Sequence, residues 1–258
     1  MAAVLDLPIY APPLEEQHRI VALLDEAFAG IATARANAEK SLRNARDLFD
    51  NRLSEIFLKE SHAWKRKTLR EVALDFGRGK SKHRPRNDPK LYGGPYPFIQ
   101  TGDVRNSDHL ITEYSQTYSE AGLMQSKLWP KGTLCITIAA NIAETGILNF
   151  DACFPDSVIG VVVDPAQTGN KFLEYLLQSM KASLQAKGKG SAQDNINLGT
   201  FENEKFPFPD LSVQAKVTNE LDALADAVRD LQSLYTRKLA ALNELKESLL
   251  QQAFSGNL

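Results

Sequence analysis

Residues 12 to 57 of this chain reappear, without a gap, as residues 209 to 254. Pro12 matches Pro209, Leu14 matches Leu211, Gln17 matches Gln214, and Leu24-Asp25 matches Leu221-Asp222. The register holds through Leu42/Leu239, Leu48/Leu245, Leu53/Leu250 and Phe57/Phe254, with conservative pairs such as Ile20/Val217 and Lys40/Arg237 between the identities. Two copies separated by a domain's length do not make a solenoid, whose repeats must stack on their neighbours. They are two copies of one long helix with an insert between them.

The first helix is predicted to begin after Pro12-Pro13, because proline is tolerated in a first helical turn and not in an interior. Its apolar seam runs Val21, Leu24, Phe28, Ile31, Ala38, Leu42, Ala45, Phe49, Ile56, a heptad pattern interrupted by Arg35 and Arg52. The second copy follows Pro209-Asp210 and shows Leu221, Leu224, Val228, Leu231, Tyr235, Leu242, Leu245, Leu249. Helices of about 45 residues extend about 65 to 70 Å. A helix that long with one apolar stripe must bury it against a partner, so the copies pack on each other or on those of a second chain.

The insert, residues 63 to 207, has a different texture. Trp64 to Ala73 reads as a strand running into a short turn, and Arg78 to Pro95 as a loop rich in Pro, Gly and basic residues. Tyr96 to Ile99 reads as a strand ending in a turn at Thr101-Gly102-Asp103, and Thr133 to Ile138 and Ser157 to Val163 as buried strands. Lys171 to Lys187 has helical spacing, and Lys187-Gly188-Lys189-Gly190-Ser191 ends it in a flexible basic turn. The expected fold class is α+β, with a mixed or mostly antiparallel sheet.

At 43% hydrophobic and 24% charged residues, the chain reads as a soluble globular protein. It shows no signal peptide and no run of about 18 apolar residues, so a cytoplasmic location with no membrane contact is expected. Cys135 and Cys153 form no C-x-x-C pair and read as reduced structural thiols. The net charge of −2 conceals a polarised chain, because Trp64 to Arg105 carries eleven basic residues against four acidic ones.

Catalytic patterns fail on spacing. Gly79-Lys80-Ser81 imitates the end of a phosphate-binding loop, but Leu74 stands where the first glycine is required. Asp75-Phe76-Gly77 lacks the other kinase motifs. The histidines His18, His62, His83 and His109 have no ligand partners at metal spacing, there is no G-x-S-x-G, and Pro12-Pro13 follows Ala11 rather than the Asn or Asp of an adenine methyltransferase. No enzyme activity, cofactor or metal is expected.

One family pattern remains. Ile9 to Gln17 resembles the I-P-x-P-P-L-x-E-Q signature that opens the helices of type I restriction-modification specificity subunits, and Phe206 to Gln214 repeats it with Asp210 and Val213 at variance. Gln193-Asp194-Asn195-Ile196-Asn197 resembles the Q-x-N-I-N segment that ends a target-recognition domain, Trp64 to Val72 resembles its start, and Phe98 to Val104 its P-F-I-x-x-G-D-I turn. The resemblance implies one globular recognition domain, 63–207, flanked by helices within 1–62 and 208–258. Such a subunit recognises double-stranded DNA without catalysis. Its helices space the recognition domains and dock the modification (methyltransferase) subunits and, through them, the restriction subunit. A family member normally has two recognition domains, so this chain reads as a half-subunit or as part of a longer one. A homodimer joined through Leu24, Phe28, Ile31, Leu42, Leu221, Leu224, Val228 and Leu242 would supply the second.

The residues suit that role. Arg78, Lys80, Lys82, Arg84 and Arg86 alternate with small or rigid residues, a pattern for neutralising phosphates, and Lys187 and Lys189 extend it. Gln100, Arg105, Gln193, Asn195 and Asn197 can make bidentate contacts to base edges, although Gln193 to Asn197 reads equally as a structural turn. Tyr92, Tyr96 and Trp129 read as core or rim. The competing function is a coiled-coil adaptor whose central domain binds protein, with the basic loop incidental.

Overall fold

A computed structural model of the chain describes residues 12–139, 142–189 and 198–258. They form two compact units, one made of the chain up to Asn51 together with Asp222–Leu258, the other of Arg52–Leu221. The expected boundaries lay at the helix ends, whereas the units divide inside the helices.

Both repeat copies are helical, α1 over Leu14–Ser54 and α7 over Leu211–Ser255. In the first unit they run antiparallel. The Arg19 guanidinium donates to the Leu258 carbonyl at 2.9 Å, Arg35 to Asn243 Oδ1 at 3.1 Å, and Lys246 lies 5.4 Å from the centre of the Phe28 ring. Of the residues expected to join two chains, Leu221 and Val228 are buried within this one, and Leu24, Phe28, Ile31, Leu42, Leu224 and Leu242 are half-buried.

The seam also differs in membership. Ile20 is buried where Val21 was expected, and Val21 is 55% exposed. In α7, Leu231 and Leu245 face outward, while Gln232 and Leu239 are half-buried. A 3.6-residue helix drifts against a 3.5-residue repeat, so several registers fit the same apolar positions and side-chain packing selects among them.

The signature glutamine caps each copy in the same way. Gln17 Nε2 donates to the Pro12 carbonyl at 2.7 Å and Gln214 Nε2 to the Pro209 carbonyl at 2.9 Å. Gln214 is buried, gives a second bond to the Gln167 carbonyl, and accepts one from Thr168 Oγ1 at 2.8 Å. Gln214→Ala should cost about 2 to 3 kcal/mol because it strands buried polar groups, and Gln17→Ala less than about 1 kcal/mol. Urea unfolding of the two variants checks this, and equal losses would contradict it.

In the second unit α1 continues as a π-turn over Glu55–Lys59 that buries Ile56 and Phe57. Phe57 packs on Trp64 and Phe172, and Phe172 on Phe208. Strand β1 (Lys65–Lys67) pairs antiparallel with β9 (Phe206–Phe208), which closes the start of the unit onto its end. The main sheet holds β2 (Ala73–Arg78), β4 (Leu110–Ile111), β6 (Leu134–Thr137), β7 (Thr145–Leu148) and β8 (Val158–Val163) in the order β2-β8-β6-β7-β4. Every described pairing in it is antiparallel except β4 with β7. Its centre is formed by the two β-branched runs read as buried strands. Cys135 on β6 and Cys153 are free and buried, and burial pushes both thiols above their ordinary pKa.

Three local readings change. Thr101-Gly102-Asp103 begins a short helix, α2 (Thr101–Asn106), because the Asp103 carboxylate accepts the Gln100 N–H at 2.7 Å and so caps the first turn. The stretch read as loop up to Pro95 already contains β3 (Tyr92–Phe98), paired with β5 (Gln116–Tyr118). The helix read over Lys171 to Lys187 is two helices, α4 (Asn170–Ser179) and α5 (Lys181–Lys189). The backbone at Lys187 and Lys189 is thus helical rather than a turn. Helical hydrogen bonding outweighs the cost of about 1 kcal/mol for Gly188. No helix among the described residues is long and apolar enough to cross a membrane.

Candidate nucleic-acid interface

The basic loop leaves the end of β2 at Gly79. A side chain there would lie 2.1 Å from the Phe154 carbonyl, and the Gly79 N–H donates to the Val158 carbonyl at 2.9 Å, so the loop starts from a fixed point. Further bonds pin its course. Ser126 Oγ donates to the Lys80 carbonyl at 2.8 Å, and the His83 N–H to Gln125 Oε1 at 3.0 Å. The Tyr92 hydroxyl donates to the Arg86 carbonyl at 2.6 Å.

The five loop cations separate into two groups. Arg78 donates to the Asp156 carbonyl, Arg86 forms an ion pair with the Asp156 carboxylate at 3.0 Å, and Arg84 donates to the Ser81 and His83 carbonyls. These three guanidiniums organise the loop. Lys80 and Lys82 are exposed and form no ion pair among the described residues. Asp88 closes the far side against His83 and Lys90. Partial burial opposes its ionisation, but bonds from Lys90 and His83 outweigh that and hold the carboxyl below its ordinary pKa.

Gln100 sits before α2, and its Nε2 donates to Gln116 Oε1 at 3.0 Å. Gln116, opposite Phe98 across the β3–β5 pair, was not singled out in the sequence, since only cross-strand pairing brings it to Gln100. Arg105 is exposed on α2. The side chains of Lys187 and Lys189, and all of Gln193, Asn195 and Asn197, lie outside the described residues. Trp129 is fully buried, and Tyr92 and Tyr96 are half-buried.

The cleft beside α2 is lined by Asp103, Asp108, Glu113 and Tyr114 among others, with no lysine or arginine among the described residues that line it. Among the described residues no group of three or more His, Cys, Asp or Glu side chains could hold a metal ion.

The family description "Type I restriction modification DNA specificity domain" matches residues 62–234. The chain belongs to this specificity-domain family. The matched residues run from the second unit into α7. Among similar proteins is one named as the MjaX type I restriction enzyme specificity subunit of Methanocaldococcus jannaschii, 21% identical over 98% of this chain and 59% of that protein. Solved structures share the fold. A chain from work on complex assembly and conformational transition of the type I R-M system superposes with a TM-score of 0.80 at 23% identity, covering 96% of this chain and 61% of that one. The HsdS subunit from Thermoanaerobacter tengcongensis gives 0.67 at 24% identity, covering 96% and 60%. This specificity-family chain spans about three-fifths of the length of these relatives.

Proposed function

We propose that the chain is a non-catalytic, sequence-specific DNA-recognition subunit of a type I restriction-modification enzyme. The observation that carries this reading is the loop in which Arg78, Arg84 and Arg86 are spent on internal bonds while Lys80 and Lys82 are left facing solvent. A loop held this way presents its exposed lysines on backbone that is already ordered, so binding has only their side chains to immobilise. Gln100 and Arg105 are the base-reading candidates within the described residues, Gln193, Asn195 and Asn197 are those beyond them, and Lys187 and Lys189 add to the phosphate-neutralising set.

In the same reading the helix pair docks modification subunits and, through them, the restriction subunit. An outward apolar stripe on α7, Leu231, Leu234 and Leu245, at 39%, 51% and 48% exposure, supports this. A homodimer that exchanges helices, α1 of one chain against α7 of another, buries the same Leu24, Phe28, Ile31, Leu42, Leu221, Leu224, Val228 and Leu242 seam without a new interface. The test is retention of the purified chain on mixed-sequence duplex DNA across a salt series. Affinity should fall steeply and linearly on a logarithmic salt scale. A protein-binding adaptor would show no such slope, and that result would displace the DNA reading.

A further inference from the structure

The short helix α3 (Glu120–Met124) ends against the basic loop. The two bonds that pin Lys80 and His83 come from Ser126 and Gln125, the residues that follow Met124. The start of α3 is fixed as well. Ser119 Oγ donates to the Lys90 carbonyl at 2.6 Å and accepts from the Gly122 N–H at 3.3 Å. A side chain at Gly122 would lie 2.3 Å from the Leu91 carbonyl, so the helix is pressed directly onto the backbone beneath it. Leu123 packs on the cluster of Leu91, Phe98, Tyr118 and Cys153. Between these anchors Met124 projects into solvent at 87% exposure, the highest of any large apolar side chain among the described residues.

A single exposed apolar side chain has no meaning by itself. This one stands on backbone clamped from both sides, two residues from the Ser126 that bonds the Lys80 carbonyl, and Lys80 and Lys82 form no ion pair among the described residues. Proteins that bend duplexes combine these two features, cations that hold the phosphates and an apolar side chain inserted between base steps. A thioether is unbranched and adaptable enough to enter such a gap.

We propose that Met124 is an apolar wedge that enters the duplex between adjacent base pairs when Lys80 and Lys82 engage its phosphates. The inference rests on the DNA-binding reading above and adds a means of discrimination that needs no hydrogen bond to a base. Pyrimidine–purine steps unstack more easily than A-tracts, so the wedge favours sites that carry a flexible step beneath it.

The experiment compares the full chain with Met124→Ala and Met124→Leu on two duplexes of about 30 base pairs, one of TA steps with 2-aminopurine at a central step and one an A-tract. The parent chain should bind the TA duplex about tenfold more tightly and brighten the 2-aminopurine as it unstacks. Met124→Leu should keep both effects. Met124→Ala should lose both with its salt slope unchanged, since no phosphate contact is removed. Preference and brightening retained in Met124→Ala would overturn the wedge. So would a parent chain that binds both duplexes equally, with a steep salt slope and no brightening, and that result would leave DNA binding intact. A parent chain with no salt-dependent binding would overturn both readings.

Discussion

Leu221→Glu should destabilise the protein by about 3 to 5 kcal/mol, because it removes a packed apolar side chain and puts an unpaired carboxylate in its place. Leu221 is fully buried, and Arg52, bonded to the neighbouring Glu220, is also engaged by Glu55. Leu245→Glu, also at an apolar heptad position, should stay within about 0.5 kcal/mol of the parent because an exposed helical glutamate meets water rather than packing. Leu245 is 48% exposed. Guanidinium unfolding of both variants measures the contrast. Equal losses would show that the inner face of α7 has been assigned to the wrong residues.

That contrast marks what a sequence repeat can and cannot convey. The repeat revealed two long helices and an insert, since proline-started apolar periodicity is a property of the local chain. It could not reveal that Phe57 is buried against Trp64 and Phe172 while its twin Phe254 is 71% exposed. Identical residues meet different neighbours, and those neighbours come from distant sequence. Gln17 and Gln214 diverge for the same reason, with one cap bond in common and Thr168 reaching only the second. The β-branched runs of β6 and β8 were legible because a buried strand needs no partner to be recognised, whereas α2 depended on one carboxylate capping one amide. In the candidate interface the density of positive charge was legible and its allocation was not. Asp156, whose carbonyl accepts from Arg78 and whose carboxylate pairs with Arg86, lies in a different segment until the sheet brings β2 and β8 together.

That allocation sets the second large expected effect. Replacing Lys80 and Lys82 together with alanine should weaken binding to every duplex by about tenfold or more and lower the salt slope by about 2, one counterion for each lost phosphate contact. Arg86→Ala should do less, because its guanidinium is already neutralised by Asp156 at 3.0 Å. Asp156→Asn reverses the sign. It removes the carboxylate that competes with phosphate for Arg86, so affinity should rise and the salt slope should steepen by about 1. Titrations of cognate and scrambled duplexes at two salt concentrations separate the cases. Loss confined to cognate DNA in the lysine variant would make Lys80 and Lys82 base readers rather than phosphate contacts. An Arg86→Ala loss as large as that of the lysine pair would mean that the Arg86–Asp156 pair opens on DNA. The loop would then be ordered by the duplex it binds, and its internal bonds would oppose binding rather than prepare for it.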